Sequence, residues 1–510
     1  MTKLNRRLFI ASSVAAVGAV AVPSIAGAAG SSVARRRAAA DLFGLGVASG
    51  DPRPDGVVLW TRLAAKPLEI GGGMGDREVP VEWQVATDEA FTNIVANGTE
   101  NAVPGDGHSV HAEPTGLPAG AEYFYRFKAD DVLSPVGRTK TAPAAGTDPG
   151  SVKFAMASCQ HFEEGYYPVH HFIAADAPDL VLFLGDYMYE KPSGLTPVRY
   201  YVETDEVDKL DEYRLRHAQT HLDPNLRAAH AVAPWLPVFD DHELANNWYG
   251  NGTDWPDVRK QAAFQAYWEN MPLPKSMKPT GPAIPLYRTV PWGTLARFHM
   301  MDTRQYRWKQ AAANNCGQIK DPDRTLTGGD QEDWLLGQLA AGGSKWDLLG
   351  QQVFYAGRDE DGATGTCDIS EDAWDGYQAS RDRITQGWLD RKVRNPIVLT
   401  GDVHRSWANS LRLNYFDHES PLVGAEFVTT SVTSGGNPGP TDEPPGYVAH
   451  NPHLNYVGNI RGYVRVTADN TQMVAEFMKV STVTEPDAGK VTLSVDETYT
   501  VLDGQPGLQP

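Results

Sequence analysis

Four short apolar segments of the chain end in side chains that commonly bind metals. Residues 152–159, 179–186, 234–241 and 395–402 read VKFAMASC, DLVLFLGD, PWLPVFDD and NPIVLTGD. The metal-binding side chains at or just beyond these ends are Cys159, Asp186, Tyr189, Asp241, His242, Asp402 and His404. Thiolate, phenolate, carboxylate and imidazole together form the ligand set of a metal centre. Each motif alone is a weak signal, because a Gly-Asp pair is often a turn and a lone cysteine is often a small core residue.

The elements that position these side chains follow from the apolar pattern. The four segments are short and apolar throughout, which is typical of strands buried on both faces. Helix-like stretches lie between them, for example at residues 211–223 and 257–270. This alternation predicts a layered α/β domain over residues 150–510. Because parallel strands present their carboxyl ends to a common crevice, we expect the four ends to meet on adjacent strands.

Residues 41–145 have a different, all-β pattern. Short, partly alternating segments such as GVVLWTRL, VPVEWQVATD and YFYRFKA are separated by Gly, Pro and Asp turns. The stretch 117–126 resembles the signature of a fibronectin type III sandwich, in which a tyrosine closes a corner between the two sheets. Residues 141–151 are rich in Pro, Gly and Ala and make a natural linker. We therefore predict a β-sandwich domain that has a structural role.

The first 28 residues have the features of an export signal. Arg6 and Arg7 precede a weakly apolar Ala/Val stretch, and residues 26–28 (Ala-Gly-Ala) fit an A-x-A cleavage site. Twin arginines before such a stretch are typical of a Tat signal. A membrane anchor is the alternative, but Pro23 and several glycines and serines argue against it. We expect residues 1–28 to be removed and the protein to be secreted by the Tat route.

The composition indicates a folded, acidic protein. Hydrophobic residues make up 41% of the 510 residues and aromatic residues 10%, which is enough for substantial cores. A formal net charge of −19 argues against nucleic acid as the natural partner, since phosphate backbones attract basic surfaces. An acidic protein can still act on phosphates if metal ions invert the local sign of the potential.

The chain has three cysteines, Cys159, Cys316 and Cys367, so at least one thiol has no partner within the chain. Cys159 ends a strand beside the other candidate ligands, and a nearby cation favours a thiolate. We expect Cys159 to be a reduced metal ligand. Cys316 and Cys367 then remain as the pair that can form a disulfide in an oxidising environment.

The motifs together resemble a known family. Their order is similar to the D-x-H, G-D, G-N-H-E and G-H-x-H motifs of the calcineurin-like metallophosphoesterases. GDYMY also resembles the G-D-x-x-Y motif of purple acid phosphatases, whose tyrosine binds ferric iron. The set ASCQ, GDYMYE, DDHELANNW, MDTRQYR and GDVHRSW is similar to the alkaline phosphatase D family over essentially all 510 residues. The resemblance implies a four-layer α-β-β-α sandwich preceded by a small β domain.

Departures from the broad superfamily pattern bear on the metals. Cys159 stands where an acid or histidine is usual, Asp241 replaces the Asn of G-N-H-E, and Asp402 replaces the first His of G-H-x-H. Oxygen ligands suit Ca²⁺, whereas Cys, Tyr and His suit iron. The resemblance likewise implies Fe³⁺ paired with Ca²⁺. The expected metal ligands are Cys159, Asp186, Tyr189, Asp241, Asn246, Asp402 and His404, with Asp186 bridging the two ions.

The resemblance implies attack on phosphorus by a hydroxide held between the metals. His242 is the expected donor of a proton to the leaving oxygen; the alternative is a structural imidazole held by Glu243. Arg304 is the expected phosphate clamp, and a salt bridge to Asp302 or a neighbouring acid is the alternative.

The leading functional hypothesis is a secreted phosphoesterase that hydrolyses phosphodiesters, phosphomonoesters or both. The alternative is a phospholipase D that acts on phospholipids by the same metal-hydroxide route. None of the 14 histidines begins an H-x-K-x-x-x-x-D motif, so the covalent-histidine route is not expected. A binding module with an inactive α/β domain is a third class, against which the intact ligand set argues. We expect a monomer, and a transient contact with a membrane surface stays open.

Overall fold

The computed structural model describes residues 42–509 except 251, 253, 363–366, 368, 416, 418 and 440–445. The predicted export signal at residues 1–28 lies outside the described residues. The strands are β1 Val47–Arg53, β2 Gly56–Arg62, β3 Val79–Ala86, β4 Ile94–Ala102, β5 Ser109–Ala112, β6 Glu122–Ala129, β7 Val132–Leu133, β8 Gly137–Lys140, β9 Ser151–Ala157, β10 Leu180–Leu184, β11 Pro234–Val238, β12 Arg288–Trp292, β13 Ala296–Met300, β14 Trp346–Gly350, β15 Pro396–Thr400, β16 Ser406–Arg412, β17 Leu422–Val428, β18 Leu454–Gly458, β19 Gly462–Asp469, β20 Gln472–Val480 and β21 Leu493–Leu502. The α-helices are α1 Pro168–Asp176, α2 Leu210–His221, α3 Pro224–Val232, α4 Asp257–Asn270, α5 Cys316–Ile319, α6 Gly329–Ala341 and α7 Gln378–Asp390. In the part of the chain that the structure describes, no helix combines the length and the apolar character needed to cross a bilayer.

Two large sheets carry most of the strands. The nine-stranded sheet has the order β21-β20-β19-β9-β10-β11-β1-β2-β5, and the seven-stranded sheet has the order β12-β13-β14-β15-β17-β16-β18. Strands β9, β10 and β11 are parallel neighbours in the first sheet. Every residue of β10, β11 and β15 is buried, which explains why the sequence of each is apolar throughout.

The two sheets pack face to face, with helices outside both. Phe154 on β9 contacts Phe298 on β13 edge to face, with 5.4 Å between ring centroids. On the opposite face of the first sheet, Phe183 on β10 stacks on His170 of α1 at 6.3 Å. Helices α6 and α7 share a second core with the seven-stranded sheet. The layers are therefore α-β-β-α, and the expected fold class is confirmed.

The N-terminal region is all-β, as predicted, but its strands divide between two sheets. Strands β3, β4, β6 and β7 form a separate sheet with β8 beside β6, whereas β1, β2 and β5 continue the nine-stranded sheet. The two sets enclose a shared apolar core. Tyr123 donates a hydrogen bond from its hydroxyl to the carbonyl of Pro118 at 3.2 Å, which closes the expected corner. The boundary drawn between residues 145 and 150 stays a prediction.

Polar contacts join the N-terminal strands to the helical layer and to the second sheet. The indole of Trp60 donates to the carbonyl of Glu269 at the end of α4, over 3.0 Å. Arg288 on β12 donates from Nε to Asp51 at 2.7 Å, and both side chains are buried. The N-terminal region is thus built into the framework of the two large sheets.

The expected pairing of the cysteines is confirmed, and the role of Cys159 as a metal ligand stays a prediction. Cys316 and Cys367 form a disulfide, while Cys159 is free and buried. The disulfide packs in a small apolar cluster with Ala311 and Ile319. It therefore ties the segment before α6 to the segment before α7.

Replacing both cysteines of the disulfide, in Cys316→Ser/Cys367→Ser, should lower the free energy of unfolding by about 2–4 kcal/mol. The bridge spans a sequence separation of 51, so its loss frees a long loop in the unfolded chain. Urea unfolding followed by tryptophan fluorescence measures the change. Reductant should shift the midpoint of the wild type to that of the variant and leave the variant unmoved. Equal midpoints for the oxidised wild type and the variant would contradict this role of the bridge.

Candidate metal centre

The four strand ends meet, but on two sheets. Strands β9, β10 and β11 are neighbours in the nine-stranded sheet, whereas β15 lies in the seven-stranded sheet. The expectation that all four strands are adjacent is therefore wrong. The loops that follow them touch nonetheless: the Tyr189 hydroxyl, after β10, lies 3.3 Å from Nε2 of His404, after β15. The centre lies where the carboxyl edges of the two sheets come together.

Two glycines allow this close approach. Gly185 has φ of 100°, and a Cβ there would lie 2.4 Å from the Cβ of Asp240. Gly401 faces the other sheet, and a Cβ there would lie 2.9 Å from the carbonyl oxygen of Leu184. Both glycines precede a candidate ligand, so the two Gly-Asp motifs are explained by the contact between loops.

The backbone is left-handed at four of the candidate ligands. The φ angles are 57° at Cys159, 55° at Asp186, 65° at Asp402 and 55° at His404. Each such conformation costs on the order of 1–3 kcal/mol in a residue that has a Cβ. It persists only where the surroundings impose it, and such strain concentrates at functional sites.

Four of the expected ligands form one cluster, which we call the iron-type group after the ion expected from the sequence: Cys159, Asp186, Tyr189 and His404. The Sγ of Cys159, a carboxylate oxygen of Asp186 and a ring nitrogen of His404 lie within 4.8 Å of one another. Tyr189 donates from its hydroxyl to Asp186 Oδ2 at 2.7 Å and lies 3.3 Å from His404 Nε2. Ser434 donates to the same tyrosine oxygen at 2.6 Å.

Three acids form a second cluster, which we call the oxygen group: Asp240, Asp241 and Asp402. Their carboxylate oxygens also lie within 4.8 Å of one another. Asp186 and Asp241 form a further set with a ring nitrogen of His242 within the same distance. Asp186 therefore belongs to the iron-type group and neighbours the oxygen group, which is the position expected of a bridging ligand.

The electrostatics of these acids fit bound cations. Burial raises the pKa of Asp186 well above its usual range, that of Asp240 to about 8 and that of Asp402 to about 7. Burial also raises the pKa of the Cys159 thiol, and Asp186 raises it further. Asp240 Oδ2 is buried without a hydrogen-bond partner among the described residues. A cation would stabilise the charged form of every one of these groups, so the donor set fits metal ions.

Glu243 holds the loops that carry the acids. Its carboxylate accepts hydrogen bonds from the backbone amides of Asp186 at 3.1 Å, Asp240 at 2.9 Å and Tyr187 at 2.5 Å. These hydrogen bonds lower the pKa of Glu243, but burial outweighs them and raises it to about 8. One carboxylate thus fixes the loop after β10 against the loop after β11.

His242 is held by Glu190, and not by Glu243 as the alternative structural interpretation of this histidine supposed. Its Nδ1 lies 2.7 Å from Glu190 Oε2. Burial lowers the pKa of His242, but Asp241 and Asp186 outweigh burial and raise it to about 10. Its ring also stacks on Tyr189 with 4.2 Å between centroids. The imidazole is therefore fixed in orientation, and the neighbouring acids favour its protonated form.

The role of Asn246 as a metal ligand stays a prediction. Its side chain is exposed, and its backbone amide donates to Glu190 Oε1 at 2.8 Å. The described contacts place this residue beside the partner of His242.

Arg304 lies buried in an ion-pair network. Its Nε is 2.5 Å from Asp240 Oδ1, and its Nη2 is 3.9 Å from Asp241 Oδ2. Its Nη1 is 3.1 Å from Asp372 Oδ2. Asp302 instead accepts the backbone amide of Arg304 at 2.9 Å. Of the alternatives stated for Arg304, the structure contains the salt bridge to neighbouring acids.

Sequence reasoning did not select four residues that the structure places at the centre. The doublet in DDHE offered Asp240 as well as Asp241, and the last residue of GDYMYE is the acid that holds His242. The other two have no strand-end signal, because Asp372 lies within a loop and Ser434 is neutral. Glu243 was named, but only as a partner of His242. The four residues are Asp240, Glu190, Asp372 and Ser434.

Comparisons with known proteins identify the family of the chain. Residues 154–477 match the family model of the PhoD-like phosphatase, and residues 27–143 match that of the PhoD-like phosphatase N-terminal domain. Alkaline phosphatase D of Bacillus subtilis strain 168 is 44% identical over 487 residues, which cover 92% of this chain and 82% of that protein. The solved structure of PhoD is 43% identical, with a TM-score of 0.87, over 92% of this chain and 91% of that one. The chain therefore belongs to the PhoD-like phosphatase family, whose members are hydrolases of phosphoric ester bonds.

Proposed function

We propose that the protein is a secreted phosphoesterase with Fe³⁺ in the iron-type group and Ca²⁺ in the oxygen group. The observation that carries the proposal is the position of Asp186, whose carboxylate reaches the iron-type ligands and the set with Asp241. Sulfur, phenolate and imidazole donors favour iron, and a cluster of carboxylates favours calcium. The substrate is a phosphomonoester or phosphodiester, as the name of the Bacillus subtilis relative suggests.

Two bound cations would supply charge neutralisation and an activated water for in-line attack on phosphorus. The chain supplies the rest. Asp186 is positioned by Glu243 through its own backbone amide. Tyr189 is positioned by Ser434 and by stacking between His161 and His242. These contacts leave the ligand atoms little freedom, so the site is organised before substrate binds.

His242 is the proposed general acid. Its Nδ1 is shared with Glu190, which leaves the Nε2 proton for the leaving oxygen. Arg304 contributes positive charge beside the oxygen group, and its buried Nη2 has no hydrogen-bond partner among the described residues. That Nη2 is the atom through which Arg304 would contact a phosphoryl oxygen. Asn246 stays a proposed ligand of Ca²⁺ through its side-chain amide oxygen.

Secretion is supported by the twin-arginine segment and by the disulfide between Cys316 and Cys367, which suits an oxidising compartment.

A phospholipase D activity is the second candidate. The segment that follows Glu190 exposes large apolar side chains: Leu195 is 100% exposed and Tyr200 70%. Such side chains suit contact with the apolar part of a lipid substrate.

Purified protein should hydrolyse a soluble phosphomonoester or phosphodiester, and Asp186→Asn should reduce turnover by more than about 100-fold. Loss of an outer-shell partner of a metal already costs about 10–100-fold, and Asp186 is a shared ligand. The variant should fold, because Asn removes a buried acid whose pKa burial has raised. Release of phosphate or alcohol from a monoester, a diester and phosphatidylcholine vesicles ranks the substrates. Turnover of vesicles above both soluble esters would favour the phospholipase D, and full activity of Asp186→Asn would overturn the proposed centre.

Chelation should separate the two metals. Excess EGTA should abolish turnover while iron stays bound, because calcium held by carboxylates exchanges readily and iron held by Cys159 and Tyr189 does not. Elemental analysis of the treated protein measures the iron that is retained. Added Ca²⁺ should restore turnover. Unchanged activity in excess EGTA would count against a catalytic calcium.

The wild type should be coloured, because thiolate and phenolate ligands donate charge to Fe³⁺ at visible energies. Tyr189→Phe should shift or weaken the visible band and reduce turnover without abolishing it, since three ligands remain. Tyr187→Phe is the matched control: its hydroxyl lies 2.8 Å from His230 Nε2, outside the iron-type group. Absorbance spectra of the three proteins make the comparison. A colourless, iron-free wild type, or identical spectra for the two variants, would refute the assignment.

A further inference from the structure

Asp372 binds two buried arginine side chains beside the oxygen group, although it follows no strand end. Its Oδ1 accepts from Arg307 Nη1 at 2.8 Å and from Gln310 Nε2 at 2.6 Å. Its Oδ2 lies 3.1 Å from Arg304 Nη1. Both arginine side chains have 0% exposure, and that of Asp372 is 18% exposed. Two buried guanidinium groups and an amide thus converge on one carboxylate.

Arg304 connects Asp372 to the oxygen group. The same guanidinium lies 2.5 Å from Asp240 through Nε and 3.9 Å from Asp241 through Nη2. A guanidinium is planar and rigid, so a bond that holds Nη1 also sets the direction of Nε and Nη2. Asp372 therefore fixes how Arg304 is presented to the two acids.

We propose that Asp372 is a positioning residue that sets the cation affinity of the oxygen group through Arg304. This rests on the proposed function, in which the oxygen group holds Ca²⁺. When Asp372 is charged, it neutralises part of the charge of Arg304 at Nη1, whereas Nε and Nη2 are the atoms near Asp240 and Asp241. Without that charge, Arg304 pairs with these two acids alone and competes with the cation for their oxygens. Loss of a nearby negative charge weakens cation binding further, so both effects have the same direction.

The disulfide bridges the two segments that form this network. Arg304, Arg307 and Gln310 precede Cys316 in the chain, and Asp372 follows Cys367 by five residues. The Cys316–Cys367 bond closes the chain beside these ion pairs. The tether therefore favours the approach of Asp372 to the arginines.

The same segment offers a matched control. Asp375 forms a buried pair with Arg381, with 2.6 Å between Oδ1 and Nη1. It also accepts the backbone amide of Arg358 at 2.7 Å. Asp375 is thus a buried, arginine-bound aspartate of the same segment, but its arginine belongs to α7 and not to the network of Arg304. A purely structural effect should be common to both aspartates.

The test titrates metal-stripped protein with Ca²⁺ and follows the thermal unfolding midpoint, a readout independent of turnover. Asp372→Asn should raise the half-saturating Ca²⁺ concentration by about 10–100-fold, as for other outer-shell partners of metals. Asp372→Glu, which keeps the charge, should recover most of the affinity. Asp375→Asn should lower the unfolding midpoint of the metal-free protein. Its midpoint should depend on Ca²⁺ in the same way as that of the wild type. If Asp372→Asn does not fold, Arg304→Lys, which loses the rigid fork, should weaken Ca²⁺ binding in its place.

The outcomes distinguish the two proposals. A wild type whose unfolding does not respond to Ca²⁺ would overturn the calcium site and the role of Asp372 together. A wild type that responds, with Asp372→Asn or the folded Arg304→Lys equal to it, would overturn the role of Asp372 alone. An equal shift in Asp375→Asn and Asp372→Asn would also overturn it, because the effect would then be structural.

Discussion

The buried carboxylates of Asp186, Asp240 and Asp241 lie close to the half-buried carboxylate of Asp402, and this electrostatic constraint organises the rest of the centre. Within the described chain, Arg304 and His242 balance part of their charge. Uncompensated buried charge is costly, so the acids either stay protonated or bind cations. The left-handed ligand backbones, the two glycines and the Glu243 bonds all keep the acids together against this repulsion. The fold maintains an arrangement that only cations make favourable.

The centre also depends on the position of the two large sheets relative to each other. The loops after β9, β10 and β11 come from one sheet, and Asp402 and His404 come from the other. Metal ions bound between them would cross-link the two central layers of the sandwich. The packing of Phe154 on Phe298 brings the layers close before any metal binds. Core packing and metal binding thus stabilise the same interface.

The sequence predicted the local elements better than their long-range arrangement. Apolar runs such as LVLFL identify a buried strand and locate Asp186 at its end, because a strand that is buried on both faces has apolar residues at consecutive positions. The same logic failed for β15, since nothing in an apolar run tells which of two sheets it joins. Asp372 could not be found either, because its partners Arg304 and Arg307 are more than 60 residues away along the chain. The alternative structural interpretation of His242 used the adjacent acid, Glu243, whereas the acid that the structure places beside it, Glu190, lies 52 residues away.

The parallel pairing of β1 with β11 has a consequence for synthesis of the chain. Ser49 pairs with Pro234, so about 185 residues separate the emergence of the two strands from the ribosome. At about 5–20 residues per second, the interval is roughly 10–40 s. During it, β1, β2 and β5 can pack against the sheet of β3, β4 and β6, while the edge of β1 stays without its partner. An unpaired strand edge is open to pairing with other chains, so the nascent protein is exposed to aggregation during this interval.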